Sequence, residues 1–175
     1  MTAEPPWRIE LSPAAVEVHY PPDGSIVSAI AWVERIVDGR LADAWNSTGP
    51  LFRLALARYW CWNRRFGLQR AGHDPLEMAA ALADDDGPDH PLWPAFATAQ
   101  RPLESPGPAG PGWVAAGPPE PIGPDLEVVE LVSAATAGAG RRSPSLTLLL
   151  RYSGRGWQVV GHGRVPVKVG WPPRQ

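Results

Sequence analysis

The most constraining stretch of this chain lies near its C-terminal end. Leu146–Tyr152 and Trp157–His162 are two runs rich in β-branched, leucine and aromatic residues, separated by Ser153-Gly154-Arg155-Gly156. A two-residue turn with glycine first favours a tight antiparallel hairpin. The turn in turn dictates a register that pairs Tyr152 with Trp157, Leu150 with Val159, and Thr147 with His162. One face then carries Leu146, Leu148, Leu150, Tyr152, Trp157 and Val159, suited to a core under helices. The other carries Thr147, Leu149, Arg151, Gln158, Val160 and His162, a mixed face for solvent or a subunit contact. Leu126–Ser133 predicts a further strand, and Ala134–Ser145 a loop of small residues.

The preceding part of the chain has a different period. Ile26, Ile30, Val33 and Val37 fall at helical spacing, with Glu34 and Arg35 on the wet side. Asp38-Gly39 interrupts this helix, Leu41–Trp45 adds a turn or two, and Gly49-Pro50 stops one helix and starts the next. Leu51–Phe66 is the strongest helix, with Phe52, Ala55, Leu56, Tyr59 and Trp60 as its stripe. Leu51, Leu54, Cys61 and Trp62 make it apolar around most of its circumference, which places it between layers. Asp74-Pro75-Leu76-Glu77 reads as a capping box opening a short helix to about Ala83, and Pro94–Gln100 as one more. In the first residues, Val16, Val18 and Tyr20 alternate with Glu17 and His19, predicting a short strand.

The expected organisation is one α+β domain over residues 1–175. Residues 1–24 form an extension with a short strand, 25–100 are mainly helical, 101–125 are a Pro/Gly-rich connection, and 126–165 hold antiparallel strands. Within the connection, Trp113–Ala116 reads as a strand.

Composition excludes several functions. The formal net charge of −2 argues against a nucleic-acid or anionic-membrane surface. Cys61 is the only cysteine, so an internal disulfide and thiolate-rich metal sites are excluded. No leader is visible in Met1–Glu10, and no run approaches the ~20 apolar residues that span a bilayer. A cytoplasmic location is expected. Lys168 is the only lysine, and with abundant Ala, Gly, Pro and Asp this suggests a GC-rich bacterial genome.

The opening helix IVSAIAWVERIVDGRLADAW and the pair LTLLLRY…GWQVV resemble the nuclear-transport-factor-two-like superfamily, which includes ketosteroid isomerase and small polyketide cyclases. The resemblance spans roughly Ile26–Gly161. It implies a cone-shaped curved antiparallel sheet wrapped around N-terminal helices, an apolar pocket in its mouth, and a homodimer through the outer sheet face. It implies no reaction, because this fold hosts enzymes, binders and interaction modules. No catalytic residue can be matched position by position.

The nine tryptophans suit either a core or the wall of a pocket for a flat, greasy ligand. The pocket-lining candidates are Trp32, Trp60, Trp62, Tyr59 and Trp113. His73, Asp74, Asp84, Asp85, Asp86, Asp89 and His90 could suggest a metal, but their spacing fits neither a calcium loop nor a zinc helix, and a solvated turn explains them. No metal and no cofactor are expected. Asp38, Asp43 and Tyr59 border the expected pocket as acid–base candidates, though Asp38 has an ordinary reading as a helix-end residue beside Gly39 and Asp43 as a surface position, while His162 points away from it in the register above. There is no nucleophile elbow, Cys61 sits mid-helix in apolar surroundings, and the glycines at 154, 156 and 161 precede no helix. The reading is thus a small-molecule-binding or accessory protein with an apolar, aromatic-lined pocket and no assigned activity. The alternatives are a cofactor-free isomerase, cyclase or dehydratase, and a protein-interaction module using Leu149 and Val160.

Overall fold

The structure, a computed structural model, describes residues 24–100, 112–134, 145–164 and 167–173. The strand expected at Val16–Tyr20, the first part of the Pro/Gly-rich connection and most of the small-residue loop lie outside them. The chain is α+β, with helices first and an open antiparallel sheet after them.

Helix α1, Gly24–Val37, buries Ala29, Trp32, Val33 and Ile36, one stripe at i, i+3, i+4 and i+7. Of the expected stripe, Val33 is in it, while Ile26, Ile30 and Val37 flank it half-buried. Gly39 ends the helix at φ 76°, a left-handed conformation that a Cβ would disfavour. Its N–H donates to the Ile36 carbonyl and that of Arg40 to the Arg35 carbonyl, a Schellman closure. Helix α2, Leu41–Trp45, follows.

Pro50 opens α3, Pro50–Asn63, in a first-turn position where its missing N–H costs nothing. The helix stops at Arg64, and α4, Arg65–Arg70, continues after the break. The buried side of α3 is Phe52, Arg53, Ala57, Trp60 and Cys61. Tyr59 and Leu51 lie on the open side, 51% and 61% exposed. The stripe expected from the sequence is therefore rotated, and α3 does not lie fully between layers. It packs against α5, α6 and β5, and leaves one flank to solvent.

Helix α5, Pro75–Ala83, begins as its cap residue dictates. One Asp74 carboxylate oxygen accepts from the Leu76 and Glu77 amides at 2.7 and 3.1 Å. A 3-10 turn at Gly87–Asp89 leads to α6, Trp93–Ala99. No helix among the described residues is long and apolar enough to cross a membrane.

The strands are β1 (Trp113–Ala115), β2 (Glu120–Pro121), β3 (Leu126–Ser133), β4 (Ser145–Tyr152) and β5 (Trp157–His162). They run β1-β3-β4-β5, with β2 also on β3. Val129, Leu131, Leu148, Leu150, Trp157 and Val159 form the core face, on which α1 packs. Two of the three expected hairpin pairs, Tyr152–Trp157 and Leu150–Val159, are present. The third is not. Leu149 pairs with Gly161 and Leu148 with His162, so Val160 is an extra residue in β5. This bulge reverses the alternation beyond it and brings His162 to the core face, where a regular ladder would have pointed it away.

The bulge is supported from afar. The segment before α3 runs beside β5, with the Gly49 N–H donating to the Val159 carbonyl at 2.8 Å and the Val159 N–H to the Ser47 carbonyl at 2.9 Å. A Cβ at Gly49 would lie 2.7 Å from Cγ1 of Val160, so glycine is required for this approach. On the outer face Val128 and Leu149 pair with each other and are buried, and an Arg164–Glu120 ion pair ties the segment after β5 back to β2. Leu149 is thus covered within the chain and offers no free surface to a second copy.

Candidate functional site

A cavity of about 70 Å³ lies where the helices meet the end of the sheet. Trp32, Val33 and Ile36 of α1, Leu41 of α2, Leu56 of α3 and Leu146 of β4 supply its apolar wall. Gln100, just past α6, and His162, at the end of β5, are its polar lining residues. None of the lining residues among the described ones is a carboxylate.

Trp32 is positioned from two sides. Its indole N–H donates to the Thr48 hydroxyl at 2.8 Å, and that hydroxyl donates to the Ala44 carbonyl at 2.9 Å. Thr48 is wholly buried, so the pair satisfies groups that would otherwise be costly to bury. His162 meets the Trp32 ring edge-on at 5.9 Å and the Phe52 ring at 5.1 Å. The residue as a whole keeps an open edge to solvent. The two aromatic rings nevertheless strip water from its packed side, and this desolvation lowers the imidazole pKa. At neutral pH the ring is the free base, with a lone pair and an N–H both available for a polar ligand group.

Of the five residues expected to line a pocket, Trp32 alone lines this cavity. Trp60 is buried in a second aromatic group, edge-on to Phe96 at 5.8 Å, and its N–H makes no hydrogen bond to the described residues. Trp62 is half-buried on the open flank of α3, 5.2 Å from Trp171. Tyr59 is exposed on the same flank, and Trp113 is half-buried on β1 against the core. His162, set aside from the sequence, is in the site. The signal that could have found it is the unusual Gly161 beside it, since a glycine inside a strand often marks a bulge.

Several of the remaining titratable candidates have structural partners. Asp38 and Asp43 both pair with Arg40 at the surface, at 3.1 and 3.3 Å. Asp85 accepts from the buried Arg53 at 2.5 Å, while the Arg53 Nε donates to the Thr48 carbonyl at 2.8 Å. Nδ1 of His90 accepts from the Leu92 amide at 3.1 Å. Among the described residues no three His, Cys, Asp or Glu side chains converge to hold a metal. Burial pushes the Cys61 thiol up to about 12, outweighing the opposing pull of the Arg64 charge, so at neutral pH it is an inert thiol.

In comparisons with known proteins, no family model, curated protein or solved structure matches this chain.

Proposed function

We propose that this chain is a non-catalytic binding protein for a small, largely apolar molecule held between α1, α3 and the end of the sheet. The observation that carries this reading is an apolar cavity with a neutral, partly desolvated imidazole and a primary amide at its polar edge. Pockets for drug-sized ligands run to roughly 300–1,000 Å³. A cavity of about 70 Å³ therefore suits a short or monocyclic molecule with one hydrogen-bonding group, oriented by His162 and Gln100. The resemblance to the nuclear-transport-factor-two-like group, with its sheet curved into a cone, belongs to the same proposal. What supports it is a helical layer packed on one face of an antiparallel sheet.

A second reading, proton transfer without a cofactor, is favoured by one feature. His162 is unprotonated at neutral pH and could take a proton from a bound substrate. No carboxylate among the lining residues completes an acid–base pair with it.

The test is a thermal-shift screen of small alcohols, aldehydes, ketones and aromatic acids on the full chain and on Leu56→Trp, which fills the cavity. A ligand at a hundred times its Kd stabilises the fold by about 2.7 kcal/mol. The expected result is a shift in the native chain that Leu56→Trp abolishes while the ligand-free Tm is kept. Hits that survive Leu56→Trp, or none at all, sink the proposal. A hit that is also turned over, with turnover lost in His162→Gln, transfers the site to the second reading.

A further inference from the structure

The charge of this chain is unevenly divided. Residues 44–73, which include α3 and α4, carry five arginines and no acidic residue; against the overall −2, the rest of the chain stands at −7. Most other described arginines near a carboxylate use it: Arg40 pairs with Asp38 and Asp43, Arg53 with Asp85, Arg151 with Asp125, and Arg164 with Glu120. Arg58, Arg64, Arg65 and Arg70 have no carboxylate partner among the described residues.

Arg58, Arg65 and Arg70 alternate in the sequence with Tyr59, Trp62 and Phe66 along α3 and α4, while Arg64 lies over Trp60 on the buried side of α3. Tyr59 is 51% and Phe66 66% exposed, with Trp62 half-buried between them in the helical order. The Arg65 guanidinium lies 4.1 Å from the Trp62 ring centre and 4.4 Å from that of Phe66, and Arg64 lies 4.7 Å from that of Trp60. A guanidinium stacked on rings is held in place, yet its in-plane N–H groups stay free to grip a carboxylate in two places. Arg65 spends one such donor on the Trp62 carbonyl at 2.9 Å, and Arg70 spends its Nε on the Phe66 carbonyl at 3.3 Å. Nε of Arg58 is buried without a partner among the described residues, whereas Arg64 and Arg70 are exposed. Exposed aromatic and arginine side chains together are the usual anchors of protein recognition.

We propose that the α3–α4 flank is a docking face for a short acidic segment of a partner protein, one that alternates Asp or Glu with leucine or aromatic residues. Charge decides the class of partner. Helix α5 packs beside α3 and, with the turn after it, holds Glu77, Asp84, Asp85, Asp86 and Asp89. A long polyanion such as a nucleic acid, or an extended anionic membrane, would run from the arginines onto these acids and be repelled. A compact acidic segment ends before reaching them. This inference stands independently of the cavity.

The experiment is panning of a phage-displayed library of random short peptides on the full chain, followed by titration of the selected peptides by fluorescence anisotropy. Phosphatidylserine vesicles and oligo-dT are titrated in parallel. Expected are peptides enriched in Asp and Glu together with Leu, Phe or Trp, weakened about tenfold by Arg65→Glu and by Phe66→Ser and weakened by added salt. Arg70→Glu, on an exposed side chain, gives the same loss should either other variant fail to fold. Selection without acidic enrichment, or binding that survives all three variants, overturns the proposal. So does tighter binding of the vesicles or of oligo-dT, which would assign the flank to a membrane or a nucleic acid.

Discussion

Two tryptophan-centred clusters share α3 as a common wall, and they differ in what they leave behind. In one, Trp45 meets Trp93 at 4.9 Å and Phe96 at 5.6 Å, and Trp60 meets Phe96 at 5.8 Å, with all four rings buried. Its indole donor at Trp45 is satisfied by the Asp84 carbonyl at 3.0 Å, and the Arg53 guanidinium stands 5.6 Å from the Trp45 ring. In the other, Trp32 stacks on Phe52 at 6.3 Å and meets His162 edge-on, and a cavity remains beside them. The first cluster lies among helices, whose side chains adjust independently to close-pack. The second lies where helices meet the end of a sheet, and the backbone of β5 dictates which side chain arrives there. A titratable residue and a void are the outcome. Abundant tryptophan thus makes both a seal and a site; the elements that meet decide which.

The largest test of this contrast is truncation. Trp45→Ala should cost about 3–5 kcal/mol, as large aromatic truncations in close-packed cores do. Trp32→Ala should cost less by on the order of 1 kcal/mol, because one side of its ring already faces space. Paired urea denaturation curves measure the gap, and equal losses would remove the distinction between the clusters.

Next in size is Gly49→Ala. Its methyl group would press on Val160, and over-packing of this kind costs roughly 1–3 kcal/mol. If Gly49 also holds the bulge, the variant should shift the His162 ring resonances while leaving the Trp93 and Phe96 resonances unchanged. Unmoved His162 signals would mean that the bulge is intrinsic to the hairpin.

The smallest effect is the pH dependence of His162. Its folded pKa is lowered, so below the ordinary histidine range of about 6.5 the unfolded chain binds more protons than the folded one. The stability it contributes is present above that range and is lost as pH falls through the folded pKa. His162→Gln should flatten the acid limb of a stability–pH curve, and an acid limb that the substitution leaves unchanged would refute this.

The local signals in the sequence were reliable where local physics sufficed. The span of β3, the Asp74 cap, the glycine-first turn and the pairs nearest that turn follow from neighbouring residues, and the structure contains them. The α3 stripe was legible only in part, because a helix apolar around most of its circumference does not say which side is covered. Tyr59 and Trp62 face outward only because α5, α6 and β5 occupy the other side. For the same reason composition could not tell Trp32, at the cavity, from Trp60, in the sealed cluster.

By itself, then, the sequence determined the kinds of element, their order and the hairpin near its turn, since propensity, capping and turn chemistry act over a few residues. The tertiary structure alone decided the site. Residue alternation carries side-chain direction along a strand only until a bulge breaks it. Here the bulge at Val160 sits against Gly49, a residue remote in sequence whose missing side chain lets the backbones meet. That contact puts His162 beside Trp32, and no run of neighbouring residues encodes it.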